Sequence, residues 1–253
     1  MAAIPGVYNG LMLPKLTEPV VANAGDLADR IDRATLTDWL LQPHDVGQNS
    51  DAGFSDDGES GALLNQSPRV STLKPAAVLI LVVNRPDAPT VLFTQRTAHL
   101  TDHAGQISFP GGRVEDDDPS AEHTALRETA EETGVDATHI TLIGSIPRYT
   151  TGTGYLITPV VGWIEPPIDY RPDPKEVEEC FEVPLDFLIC PQNHRLESAM
   201  YKGRMRQYYA IPYGRRYIWG ATAGMLVTFT RVLSNARGML FQPPVKMAAD
   251  SGE

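Results

Sequence analysis

The sequence predicts an α+β fold or an α/β sandwich rather than a doubly wound parallel sheet. Four segments rich in branched and aromatic residues are typical of strands, four others are typical of helices, and the two types do not alternate regularly. The chain has 253 residues, of which 42% are hydrophobic and 21% are charged, as in ordinary globular proteins. This composition excludes fibrous, collagen-like and wholly disordered proteins.

The first part of the chain differs from the rest. An amphipathic pattern predicts a helix over about Asp26–Leu41, which Pro43 ends. Residues 44–71 are rich in Gly, Ser, Asp and Asn without periodicity, which indicates a flexible linker or a long surface loop. We therefore expect an N-terminal extension over residues 1–73, a main domain over residues 74–236 and a C-terminal tail over residues 237–253.

Within the main domain, alternation of apolar runs with Pro, Gly and Asp predicts the remaining elements. The predicted strands are Ala76–Val83, Thr90–Arg96, Ile140–Ile146 and Tyr155–Ile164. The predicted helices are Pro119–Thr133, the short segment Leu185–Ile189 and Gly220–Leu233.

The net charge of −11 restricts the partners that the chain can have. An acidic surface repels a phosphate backbone, so we expect no nucleic-acid partner. The longest apolar run, Ala76–Val83, is too short to span a membrane, and the N-terminus lacks an early positive charge, so we expect a cytoplasmic protein without a membrane partner. Cys180 and Cys190 are expected to be reduced thiols, because two cysteines cannot build a disulfide framework.

The helix over Pro119–Thr133 carries the candidate chemistry. Asp118 can cap its start, and Gly134 suits the left-handed position that ends it. The helical period places Glu128, Glu131 and Glu132 on one face, where three carboxylates repel one another. A divalent cation among them would explain the cluster, whereas a bare E-x-x-E-E could equally be a solvated acidic face.

A glycine-rich turn precedes this helix. Phe109, Pro110, Gly111 and Gly112 can bring backbone atoms close to a metal ion or a phosphate, because glycine has no side chain in the way. An acidic protein that binds a phosphorylated substrate needs such a cation or a few local arginines.

Turn and helix together resemble the Nudix box, G-x(5)-E-x(7)-R-E-U-x-E-E-x-G-U, with U apolar. The second half matches from Arg127 to Val135 in every charged and glycine position, with Thr129 at a usually apolar site. In the first half Asp118 stands where Glu is expected, and the loop is one residue longer than in the pattern. The chain is thus identified as similar to the Nudix hydrolase family, which implies a mixed β-sheet between helices.

The resemblance implies hydrolysis of a pyrophosphate in a nucleoside diphosphate derivative with Mg²⁺ or Mn²⁺. Glu128, Glu131 and Glu132 would be metal ligands, one of which could be the general base. Further implied ligands are the Gly112 carbonyl and a carboxylate from a later loop. For the latter, Glu176 is preferred over Glu178 and Glu179. Arg127 is implied to orient the glutamates by pairing with them.

An upstream segment resembles the coenzyme A pyrophosphatase branch of this family. Leu92, Thr94, Arg96, Gly105 and the FPGG sequence match at the spacing of that branch, whereas Thr97 and Thr101 replace a small residue and an arginine. His99 or His103 could take the place of the missing arginine.

This resemblance implies coenzyme A or its thioesters as substrate, cut into 3′,5′-ADP and a 4′-phosphopantetheine product. Arg96, Arg113, Gly111 and Gly112 are the implied substrate-binding residues. The alternatives are hydrolysis of ADP-ribose or another nucleoside diphosphate derivative, and a Nudix module that binds nucleotides without cleaving them. The partner is expected to be a small nucleotide, and a homodimer is common for such folds.

Overall fold

The computed structural model describes residues 7–8, 11–12, 31–42, 73–98, 105–201, 204–241 and 245–246. The helices are α1 Arg33–Leu41, α2 Ala121–Thr133, α3 Leu185–Leu188 and α4 Ala221–Ala236, with single 3-10 turns at Ala137–His139 and Pro191–Asn193. The strands are β1 Val7–Tyr8, β2 Leu11–Met12, β3 Lys74–Val83, β4 Thr90–Arg96, β5 Ile107–Ser108, β6 Gly111–Arg113, β7 Thr141–Ser145, β8 Tyr149–Thr150, β9 Tyr155–Ile164, β10 Val177–Pro184, β11 Arg195–Tyr201, β12 Arg204–Tyr213, β13 Arg216–Trp219 and β14 Val245–Lys246.

A mixed eight-stranded sheet forms the centre of the fold. Its main path is β10-β4-β3-β9-β7, and the short strands β5, β6 and β8 pair with β4, β3 and β9. Strands β3 and β9 run parallel over their whole length, from Lys74 opposite Tyr155 to Val83 opposite Ile164, whereas the other pairs of this sheet are antiparallel. Strand β3 is apolar on both faces because helices cover both sides of the sheet.

The two faces of the sheet pack against different helices. Ala77, Leu79 and Leu81 of β3 point towards α2. Ile80 and Val82 point to the opposite face, where they share a core with α1 and α4. Two helical layers therefore enclose the sheet, which confirms the predicted sandwich.

Helix α4 lies between this sheet and a second one, of four strands in the order β13-β12-β11-β14. Most of its residues are buried, which is typical of a helix that is covered all round. The second sheet is also tied to the first by Arg216, whose guanidinium stacks 3.5 Å from the ring centre of Phe181 and donates a hydrogen bond of 2.7 Å to Glu179. The C-terminal part of the chain thus supports strand β10.

Most elements agree with the predictions, including β4 and β9 over their full length. The predicted start of α2 is wrong. Ser120, not Asp118, caps α2, because its hydroxyl accepts a hydrogen bond from the His123 amide, and the helix begins at Ala121. Gly134 ends the helix in the left-handed conformation as expected, with φ of 72°.

The N-terminal helix is shorter in the described part of the chain than predicted. It covers Arg33–Leu41 and is capped by Asp32, while residues 26–30, Pro43 and the predicted linker lie outside the described residues. Leu36 and Leu40 are buried in the same core as α4, so this helix packs on the domain. Among the described residues, no helix has the length and apolar character needed to cross a bilayer. Cys180 and Cys190 are both free thiols.

His194 gives the fold a dependence on pH. Its imidazole is 2% exposed, and Nε2 lies 2.6 Å from the Leu188 carbonyl oxygen, to which it donates. Burial lowers the pKa of His194 to about 4, because the charged form loses its hydration.

We expect this histidine to contribute stability that is complete above pH ~6.5 and is lost as the pH falls towards 4. The unfolded chain binds the proton near pH 6.5 and the folded chain only near pH 4, so the free energy of unfolding decreases by about 3 kcal/mol across this window. Chemical denaturation at pH 5 to 7 would measure the effect. His194→Gln keeps a donor for Leu188 without titrating and should flatten the slope; an unchanged slope in this variant would contradict the assignment.

Candidate active site

The buried side of helix α2 contains threonines as well as apolar residues. The hydroxyl of Thr129 donates to the Ala125 carbonyl and that of Thr133 to the Thr129 carbonyl, both at 2.6 Å. Each hydroxyl is therefore satisfied within the helix, and the fully buried Thr129 is tolerated at a position where an apolar residue is usual. The acidic residues occupy the adjacent part of the helix surface, and one of them, Glu132, is itself buried.

The glycine turn fits against one of these acidic residues. Strand β6 pairs with β3 such that Gly112 lies opposite Ala77, on the face that α2 covers. A side chain at Gly112 would collide with the Glu128 carboxylate, which occupies that space. The absence of a Cβ atom at Gly112 thus allows the carboxylate to approach the backbone of the turn.

Arg127 is held in place by a carboxylate from the loop before the helix. Its Nε and Nη2 donate to the two oxygens of Asp118 at 3.1 and 2.9 Å, and Asp118 is 3% exposed. Its Nη1 lies 3.1 Å from Glu128 and 3.2 Å from Glu131. Arg127 therefore pairs with both glutamates, and the bonds to Asp118 hold the pKa of that carboxyl well below its usual range.

Glu132 is the most deeply buried acid of the helix face. Its side chain is 5% exposed, and the Gly111 amide donates to it across a long distance of 3.4 Å. The nearest cation is Arg96 of strand β4, with Nη1 at 3.7 Å. Arg96 thus pairs with a site carboxylate.

Glu176 reaches the same place from the loop before β10. Its carboxylate lies 3.7 Å from Arg96. The loop is held by backbone hydrogen bonds from the Asp173 amide to the Glu132 carbonyl, at 3.1 Å, and from the Thr97 amide to the Glu176 carbonyl, at 3.0 Å. The preferred later carboxylate is therefore brought next to the helix acids, whereas Glu179 pairs with Arg216 instead.

Two of these carboxyl groups, those of Glu128 and Glu132, resist ionisation because their pKa values are raised. Burial raises the pKa of Glu132 to about 8; Arg96 opposes the shift, and the charges of Glu128 and Glu176 add to it. Burial also raises the pKa of Glu128, against the effect of Arg127 and with the charges of Glu131 and Glu176. The acids are therefore close enough to repel one another, and a nearby cation would favour their ionised forms.

The donor chemistry of this cluster fits a hard divalent cation. Carboxylate and carbonyl oxygens are the ligands that Mg²⁺ takes. Here five carboxyl groups share only two arginine partners, so the cluster carries an excess of negative charge when the acids are ionised. As the side chains stand in the described part of the chain, no three His, Cys, Asp or Glu residues are gathered tightly enough to hold a metal ion. Binding would thus require these carboxyl groups to move closer together.

The other predicted binding residues lie around the turn. Arg113 is exposed and donates from Nε to the Tyr155 hydroxyl at 2.9 Å. His99, Thr101 and His103 lie outside the described residues. Two contacts were not predicted from the sequence. Arg127 donates two hydrogen bonds to Asp118, and Arg113 donates one to Tyr155.

Comparisons with known proteins agree on one family. A family model described as the NUDIX domain matches residues 73–203, slightly more than half of the chain. An uncharacterized Nudix hydrolase, NudL, from Escherichia coli strain K12 is 41% identical over 151 residues, which cover 60% of this chain and 78% of the relative. A NudL from Shigella boydii serotype 18 is 40% identical over the same length. A solved MutT/nudix family protein from Enterococcus faecalis has a TM-score of 0.41 at 16% identity, covering 68% of this chain and 70% of that protein.

The close approach of Gly112 and Glu128 gives a test of the site that separates function from folding. In Gly112→Ala the new methyl group would displace only the end of the flexible Glu128 side chain, so the fold should persist. Activity should fall by roughly 100-fold, the order expected when a ligand or its support is displaced. Thermal unfolding and a turnover assay with Mg²⁺ would measure the two effects.

Gly111→Ala is the matched comparison. Its Cβ would lie 2.6 Å from the Cα of Val78 and closer still to the Ala77 carbonyl, so the backbone itself must move. We expect this variant to lose stability as well as activity. Full activity in Gly112→Ala would contradict the role of Glu128.

Proposed function

The chain belongs to the Nudix family, and from this premise we propose that it hydrolyses a pyrophosphate bond in a nucleoside diphosphate derivative with the help of Mg²⁺ or Mn²⁺. The observation that carries the proposal is the gathering of Glu128, Glu131, Glu132 and Glu176 beside the Gly112 turn with too few cations to neutralise them. Buried carboxyl groups that repel one another destabilise a fold. Their presence here therefore favours a functional role over a purely structural one.

The ligands would be these four glutamates and the Gly112 carbonyl. A divalent cation bound there would neutralise charge on the pyrophosphate oxygens and lower the pKa of an attacking water. Arg127, fixed by Asp118, keeps the carboxylates of Glu128 and Glu131 pointing to one side of α2.

The other groups of the site position the acids. Arg96 bridges Glu132 and Glu176, so that carboxylates from a helix and a loop face each other. The phosphates would lie along Gly111 and Gly112, where the strand is free of side chains. The low exposure of Glu132 limits the access of bulk water to this side of the site.

Coenzyme A or its thioesters are the substrates that we propose, with 3′,5′-ADP and a 4′-phosphopantetheine compound as products. Support comes from the segment before the turn, where Leu92, Thr94, Arg96 and Gly105 stand at the spacing of the coenzyme A branch. Arg96 from this segment is part of the site, which links the substrate-related segment to the catalytic helix. We further propose that the protein acts in the cytoplasm and that it forms a homodimer, as is common for such folds.

Replacing Glu131 tests the role of the acidic helix face. Glu131 is 60% exposed, so Glu131→Gln should fold normally, and turnover with Mg²⁺ should decrease by at least about 100-fold because an anionic ligand is lost. Glu122→Gln, an exposed position in the first turn of α2, is the matched control and should retain activity. Equal activity in the two variants would refute the assignment.

A substrate panel tests the specificity. With Mg²⁺ or Mn²⁺, coenzyme A should be hydrolysed with a higher kcat/KM than ADP-ribose, and mass spectrometry should detect 3′,5′-ADP. The reverse order would retain the hydrolase and reject the coenzyme A branch. Binding of either compound without products, at any metal concentration, would instead favour a nucleotide-binding module.

A further inference from the structure

A second group of polar residues lies beside the active site and has no part in the mechanism above. Lys74 begins β3 and Tyr155 begins β9, and the two are directly opposite each other in the parallel ladder. The Arg113 guanidinium lies 5.4 Å from the centre of the Tyr155 ring, and the Lys74 ammonium lies 5.9 Å from it. We call these three residues the Tyr155 cluster.

The Tyr155 cluster concentrates positive charge. Within the described part of the chain, neither Lys74 nor Arg113 forms an ion pair with a carboxylate. In a protein with a net charge of −11, two cations that converge on one aromatic ring are unusual. The electron-rich face of the ring attracts both cations. The two cations still repel each other, and because a bound anion would relieve this repulsion, the cluster is suited to bind one.

The cluster is built on a firm backbone. The Lys74 amide donates to the Gly154 carbonyl at 2.9 Å, and the Tyr155 amide donates to the Thr151 hydroxyl at 3.0 Å. Arg113 is placed by the pairing of β6 with β3. The backbone that carries the three side chains is thus already in place before a ligand binds, which reduces the entropy lost on binding.

The hydrogen-bonding capacity matches a phosphate. The Tyr155 oxygen accepts from Arg113 Nε, which leaves its own O–H to donate. Arg113 retains the N–H groups of both terminal nitrogens, and Lys74 has three N–H donors. Charge-assisted bonds of this kind are the strong ones, and a phosphomonoester dianion presents enough oxygens to accept several of them.

The position of the cluster separates this anion from the phosphates that react. Arg113 directly follows Gly112, and adjacent residues of a strand face opposite sides. A Cβ atom at Gly112 would point towards Glu128. The Arg113 side chain therefore lies on the other face of β6, away from the glutamates. An anionic group held there would therefore be a different one from the pyrophosphate that lies along the glycine turn.

We infer that Lys74, Arg113 and Tyr155 form a binding site for a phosphomonoester that the substrate carries apart from its pyrophosphate. This inference rests on the proposed function, in which coenzyme A supplies such a group as the 3′-phosphate of its ribose. The site would distinguish nucleotides with this additional phosphate from those without it.

Calorimetric titration with 3′,5′-ADP and with AMP, both in the presence of Mg²⁺, tests the inference. These two compounds differ only in the 3′-phosphate. The wild-type protein should bind 3′,5′-ADP about tenfold more tightly, and Lys74→Ala should remove most of this preference while leaving the affinity for AMP unchanged. Added salt should weaken the preference, because the cations are exposed.

Two further variants control for charge and for folding. Arg33→Ala removes an exposed cation from α1, away from the sheet strands that carry the cluster, and should keep the full preference. Tyr155→Phe retains the ring but loses the hydroxyl, and should show an intermediate preference. A purely structural role of the cluster would instead weaken both ligands equally.

Equal affinity of the wild type for the two ligands, or an undiminished preference in Lys74→Ala, would overturn the inference. The outcome is independent of turnover. If the protein failed to cleave coenzyme A but showed a preference for 3′,5′-ADP that depends on Lys74, the phosphomonoester site would stand and the proposed substrate would fall.

Discussion

The crowding of five carboxyl groups around two guanidinium groups at one end of the sheet is the constraint on which the site depends. Such an arrangement destabilises a protein unless the surrounding backbone holds each group in place. Asp118 and Arg127 form its rigid part, because their two hydrogen bonds are largely shielded from water. The remaining acids come from a helix and a loop, and the glycine turn leaves the space that the Glu128 carboxylate occupies.

The distribution of charge explains how so acidic a protein could hold an acidic substrate. The glutamates of α2 offer oxygen ligands on one face of β6, while Lys74 and Arg113 present cations on the other. Long-range repulsion of an anion would be offset locally by a cation bound to the glutamates on one side of this three-residue strand and by the two basic side chains on the other. Neighbouring residues of a strand face opposite sides of the sheet, so two adjacent residues of β6 lie next to groups of opposite charge.

The sequence predicted those features that depend on local patterns. Strands β4 and β9 and the C-terminal end of α2 follow from apolar runs and from Gly134, and the acidic face of α2 follows from the helical period. The start of α2 was misassigned because Asp118 and Ser120 are both good caps, and only the loop geometry sends Asp118 to Arg127. Strands β10 to β13 were missed because their charged and aromatic residues are stabilised by contacts between distant segments, such as Tyr208 and Tyr217 with the buried Glu197. The pairing of Arg113 with Tyr155 is likewise set by strand register.

The contact of Arg216 with β10 has a consequence for how the family domain should be delimited. The matched family model ends at residue 203. Arg216 lies beyond it, yet it donates a hydrogen bond to Glu179 and stacks on Phe181, both on the strand that follows Glu176. The strand is irregular there, with a bulge between Val177 and Glu179, so its path relies on outside support. The segment that matches the family model is therefore supported by a residue outside it, and ending the chain at residue 203 would remove the contacts that Arg216 makes with the strand after Glu176.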